Sequence, residues 1–186
     1  MTLSFSDNVL GCVNAGVYTT IAPGTGNLPS TILAPALGEI RKAFDTSNGS
    51  IEVIYLKIPT STAITANLLY QWTTNSYTVA VLPILSTSKN TGHAVAVALA
   101  TLASDATNVN YGWFQIYGVA TVLKTAVTVS PDVVVYASGT AGRIKVLTSA
   151  GGQITGMRTA NAATVTSTTS TVLCYLNRPA MQGQIT

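Results

Sequence analysis

Six acids, one histidine and two cysteines are the raw material for any ionic or nucleophilic site in this sequence. The acids are Asp7, Glu39, Asp45, Glu52, Asp105 and Asp132. Hydrolysis of the glycosidase type needs two carboxyl groups opposed across the scissile bond. Only Glu39 and Glu52, which flank a turn at 45–50, are placed to meet. His93 has no Cys, Asp or Glu at a metal-binding spacing, and it follows Gly92 at the start of an apolar run, as a surface or interface side chain does. Ser86-Thr87-Ser88-Lys89 matches the Ser-x-x-Lys string of penicillin-recognising enzymes. That chemistry wants the serine at a helix start, and Pro83 and Gly92 crowd this stretch. Pro23-Gly24-Thr25-Gly26-Asn27 lacks the Gly-Lys-Ser/Thr that grips phosphate and metal. Asn48-Gly49-Ser50 is a formal glycosylation sequon but reads first as a turn. The expectation is therefore a protein with no catalytic residue, no metal ligand and no cofactor, and not an enzyme.

Aromatic residues are the other candidates. Trp72, Trp113, Phe114, Tyr117 and Tyr136 suit a sugar-binding groove, or a core and subunit interface. Their strand-like spacing favours core and interface, with Trp113, Phe114, Tyr117 and Tyr136 as the residues to watch.

The composition narrows the class. Hydrophobic residues make up 47% of the 186, but charged residues only 8%, against a usual share of about 25%. Mean hydropathy is +0.41. The longest apolar run, Ala94 to Ala100, falls well short of the ~20 residues of a spanning helix, so no membrane partner is expected. The runs are strand-length and rich in Val, Ile and Thr. The apolar surplus is expected between strands and between subunits, since a lone soluble monomer carries more charge. Nothing at the start reads as a signal peptide, which points to the cytoplasm. In that reducing compartment Cys12 and Cys174 are not expected to pair. Charge is uneven: residues 1–108 hold four bases and five acids, whereas 109–186 hold Lys124, Arg143, Lys145, Arg158 and Arg178 against Asp132. That imbalance fits either an acidic partner surface or a few solvated loop charges. No basic run interleaves with aromatics, so nucleic acid is not expected.

The elements read as all-β, a barrel or sandwich preceded by an extended arm. Residues 1–36 form the arm. Gly11, Gly16, Gly24, Gly26, Pro23, Pro29 and Pro35 leave no room there for a helix. Its apolar residues Phe5, Leu10, Val17, Tyr18, Ile21, Ile32 and Leu33 are the candidate contacts to a partner. Residues 37–186 form the β domain, divisible at 37–108 and 109–186. The predicted strands are Leu37–Phe44, Ile51–Ile58 ended by Pro59, Leu68–Trp72 and Tyr77–Leu82 as a hairpin, and the first half of His93–Leu102. Then follow Tyr111–Leu123, Val127–Val129, Val133–Ala137, Arg143–Leu147, Ile154–Ala163 and Thr171–Asn177. Tyr111–Leu123 alternates as a strand with one buried face, and Gly112 and Gly118 inside it mark a bulge or a close backbone approach. Ser86 to Gly92 reads as a polar loop.

Four pieces carry a resemblance: Tyr-Gly-Trp-Phe-Gln-Ile (111–116), Val-Tyr-Ala-Ser-Gly-Thr-Ala-Gly (135–142), Ala-Asn-Ala-Ala-Thr-Val (160–165) and Leu-Asn-Arg-Pro-Ala-Met-Gln-Gly-Gln (176–184). As a set they resemble the head-decoration, or cement, proteins of tailed bacteriophages. The likeness runs from about Leu37-Gly38 to the end and leaves out residues 1–36. It implies a virion protein on the capsid exterior, the major capsid protein as partner, and a homotrimer. A tail or fibre module that binds host glycans is the alternative.

Overall fold

The computed structural model describes residues 3–5, 18–19, 35–72 and 75–184. The chain is all-β. Its strands are β1 (Leu3–Phe5), β2 (Tyr18–Thr19), β3 (Ile40–Asp45), β4 (Gly49–Ile58), β5 (Leu69–Trp72), β6 (Val79–Val81), β7 (Val95–Ala98), β8 (Asn110–Leu123), β9 (Val134–Ala137), β10 (Ile144–Lys145), β11 (Gln153–Thr159) and β12 (Thr171–Met181). One helical turn, α1 (Leu85–Ser88), replaces part of the loop expected over 86–92. The strands form one curled antiparallel sheet in the order β1-β3-β4-β8-β12-β11-β9-β10, a half-barrel. β2 and β7 also pair with β8, and β5 joins β7 to β6. No helix among the described residues is long and apolar enough to cross a membrane.

β8 is the axis of the sheet. Its first half is buried on both faces and its second half alternates. The change of texture has a cause in the register. Val53 pairs with Gln115, but Glu52 pairs with Tyr117, so Ile116 is an extra residue on β8. Paired residues share a face, so Phe114 and Tyr117 lie on one side of the sheet although they are three apart. The extra residue leaves carbonyls of β8 without a strand partner. Gln115, 1% exposed, satisfies them: its Nε2 donates to Tyr117 O at 3.1 Å and to Val119 O at 2.9 Å. Gly118 follows, at φ +90°, with its α-carbon against β4. A Cβ there would stand 2.6 Å from Ser50 O. The irregularity expected at Gly118 is present, whereas Gly112 sits in a regular ladder between Leu56 and Tyr18.

A second bulge shapes β12. Met157 pairs with Leu176 and Thr155 with Ala180, so Gly156 alone faces Asn177, Arg178 and Pro179. Pro179 has no N–H to give a ladder, and the bulge removes the need for one. Arg178 takes φ +48°, and the pairing of β12 with β8 ends just before it, at Asn177. β12 therefore runs through Pro179 to Met181, four residues past the strand end expected at Asn177. Val127–Val129 is not a strand; only Val129 makes an isolated bridge, to Val165. The hairpin at Asn48-Gly49, the strand end at Pro59, and the pairing of β5 with β6 follow the sequence signals.

Three clusters fill the interior. One gathers β9, β11, β12 and the second half of β8 around Val122, Val135, Ile154, Met157 and Leu176. The next packs Ile54, Leu56, Ile58, Tyr70 and Phe114, and the last packs Ile51, Val53, Tyr55 and Trp113. Cys174 is fully buried in the first. Burial pushes its thiol up to about 12. We expect a Cys12→Ser variant to resist thiol alkylation at pH 8 while folded and to react promptly in denaturant, read by mass spectrometry. The folded pKa lies above the unfolded one, so this thiol's contribution to stability is present below about pH 9 and is lost as pH rises through 12.

Candidate interaction surface

The outer face of the half-barrel carries the unusual chemistry. On β12, Val172, Cys174 and Leu176 point inward while Leu173, Tyr175 and Asn177 point out. The outward row continues across the sheet by register: Tyr175 beside Val119, Asn177 beside Tyr117, Tyr117 beside Glu52, and Glu52 beside Lys42. Ile40 and Phe44 belong to the same face of β3. Ile40 is 44% exposed, Phe44 52%, Leu173 37% and Tyr175 42%, so four of the large apolar side chains that face solvent share this one surface. Tyr117 and Tyr175 meet edge to face with ring centroids 5.9 Å apart, and their hydroxyls lie 3.2 Å apart. That hydrogen bond raises the Tyr175 hydroxyl above the usual phenol range.

Charges around this face are paired within the chain. Arg178 donates to Glu52 Oε2 at 3.1 Å, and Arg158 donates to Asp132 Oδ1 at 2.7 Å. The Arg158 guanidinium holds the Asp132 carboxyl below its ordinary range. Lys124 is only 1% exposed, and its Nζ donates to Val127 O at 2.8 Å and Thr166 O at 3.0 Å. Desolvation lowers its pKa. Arg143 donates to Lys124 O at 3.0 Å. Four of the five bases in 109–186 therefore have partners in their own chain. Sequence reasoning missed Lys124 as a buried anchor, and a single lysine at a strand end carries no signal for that role.

Sequence-predicted residues fall in several places. Trp113 is 4% exposed, Phe114 0% and Tyr136 8%; all three are interior, so they do not line an open groove. Tyr117 alone of that group is half-exposed: it lies on the same side of the sheet as Phe114 but outside the cluster that covers Phe114. Trp72 is half-buried against the Phe114 cluster. Glu39 and Glu52 do not meet: Glu39 pairs with Arg41, and Glu52 lies opposite Lys42. His93 is exposed, and no group of His, Cys, Asp and Glu among the described residues fits a metal. Of the arm residues, Leu10, Val17, Ile21, Ile32 and Leu33 lie outside the described residues. Phe5 is in β1, whose backbone pairs with β3. Tyr18 packs at 6.1 Å on Phe114, and its hydroxyl donates to Ala100 O at 2.7 Å, so this tyrosine is anchored on its own β domain. Burial raises its pKa.

No family model matches the chain, and no curated protein matches it.

Proposed function

We propose that this chain is a structural protein of a phage virion that decorates the capsid exterior and cements neighbouring major capsid subunits. The observation that supports this reading is the outer face: a broad strand surface with exposed Phe44, Leu173 and Tyr175 and with its nearby charges already paired. The sequence resemblance adds to it. Three of its four pieces lie in β8, in β9 with its following turn, and in β12, all members of one run of the sheet.

The mechanism is mechanical. A protein that binds the assembled shell and not its separated subunits stabilises the shell by mass action. Many copies, each with a modest interface, act together through avidity. Self-association as a trimer hides the outer face: closed symmetry lets one apolar surface meet its neighbours around a ring. In this reading the contact to the shell is made by residues 1–36 apart from Tyr18, which the β domain itself holds. Host glycans as the ligand of a tail or fibre module are less well supported, because Trp113, Phe114 and Tyr136 are interior. Sedimentation velocity at rising concentration tests the association. The expected species is a trimer; a monomer that persists at high concentration, in solution and on the shell, overturns the seam.

A further inference from the structure

A cleft of about 340 Å³ opens where the β3–β4 turn, the start of β5 and the strands β7 and β8 come together. Its rim is Ser47, Asn48, Asn67 and Thr121; its floor holds Asp45 and Gln115 with Val97, Ala98, Leu99 and Ala120. Asp45 is 2% exposed. Its carboxyl accepts from Ser47 N–H at 3.2 Å and from Asn48 Nδ2 at 2.7 Å, both neutral donors. No Lys, Arg or His lines the cleft, and Asp45 has no ion pair among the described residues. The arginine on the same face of β3, Arg41, is turned to Glu39 and to the Trp113 ring. A buried carboxylate is costly unless a cation compensates it. Here the cleft is open to solvent at one side, and its floor sets Asp45 and Gln115 beside an apolar patch of Val97, Ala98, Leu99 and Ala120.

We propose that this cleft binds an organic cation: an ammonium or guanidinium group on a short alkyl stem. The apolar patch of Val97, Ala98, Leu99 and Ala120 suits the stem, and Asp45 with the nearby carboxamide oxygens suits the charged head. A hard metal ion is a poorer match, because such ions take six or more oxygens and usually several carboxylates, and this cleft offers one among the described residues. The inference stands apart from the capsid reading and neither depends on the other.

Amide NMR spectra of the full chain, titrated with propylguanidinium or propylammonium chloride, test it. The expected result is saturable shifts confined to residues 45–48, 66–67, 97–99, 115 and 120–121. Half-saturation is expected at roughly 1–10 mM, the range for a small ligand held by one charge contact. Asp45→Asn should weaken both ligands at least tenfold. Ser47→Arg, at the exposed rim, should suppress the shifts by supplying a tethered cation, and it serves if the Asp45 variant does not fold. Three results overturn the proposal: no saturable shift in these residues, equal binding of neutral propanol, or calcium chloride moving the same amides at lower concentration than either organic cation.

Discussion

Gly118→Ala should destabilise the fold by about 3 kcal/mol, a large share of the 5–15 kcal/mol that holds a domain together. The reason is local and geometric. Gly118 has φ +90°, a region that residues with a Cβ enter only at a cost of roughly 1–3 kcal/mol. The added methyl would also stand 2.6 Å from Ser50 O and 3.0 Å from Ile51 Cγ2. Ser50 is backbone of β4 and cannot swing aside, so β4 and β8 must part at the bulge that Gln115 stabilises. Ile51 is fully buried in the cluster with Trp113, so the displacement reaches the core. For a chain of this size the loss corresponds to a fall of roughly 6–12 °C in melting temperature. Gly139→Ala is the control, because nothing lies within 4 Å of a Cβ placed there. Thermal unfolding by circular dichroism reads both. If Gly118→Ala melts within a degree of Gly139→Ala, the bulge of β8 is not as described.

The second large effect concerns assembly and should leave the fold in place. Leu173 and Tyr175 point out of β12 on alternate positions, 37% and 42% exposed. Replacing both by lysine puts two charges in the middle of the proposed seam, where charged residues are depleted and desolvation is costly. The fold loses the Tyr117–Tyr175 ring pair, worth about 0.5–1.5 kcal/mol, and little else. Self-association should weaken at least about 100-fold, or roughly 2.7 kcal/mol. The double variant should then sediment as a monomer with an unchanged circular dichroism spectrum. A double variant that still sediments as a trimer places the seam elsewhere.

Many of the strand positions were legible in residue types. Asn48-Gly49 announced a hairpin, Pro59 a strand end, and the run from Tyr111 to Leu123 a long strand. What escaped was phase and extension. A single extra residue at Ile116 shifts the alternation of β8, and an alternating pattern read straight through 111–123 cannot register it. Gly118 flagged a close approach without saying which strand it approaches. The last strand was expected to end at Asn177, yet β12 continues through Pro179 because a bulge opposite Gly156 absorbs it. The Val127–Val129 run had strand propensity but lacks a ladder partner beyond the Val129 bridge, and Lys124 instead ties its carbonyl into a turn. The outer face was legible only in outline. Low charge implied covered apolar surface, but Phe44 comes to share a face with Leu173 and Tyr175 only through long-range pairings such as Glu52 with Tyr117 and Tyr117 with Asn177, and no local pattern records those pairings. Asp45 read as a turn residue, and only the fold shows it buried beside a cleft.

The most direct measurement of the proposed cementing role is the thermal disassembly of expanded tailed-phage capsid shells with and without the purified 186-residue chain. The shells should first be prepared without it, and its binding followed by co-sedimentation. The result predicted is saturable binding and a rise in the shell's disassembly temperature that grows with free protein concentration, as mass action requires. No co-sedimentation, or binding that leaves the disassembly temperature where it was, would contradict a cementing role.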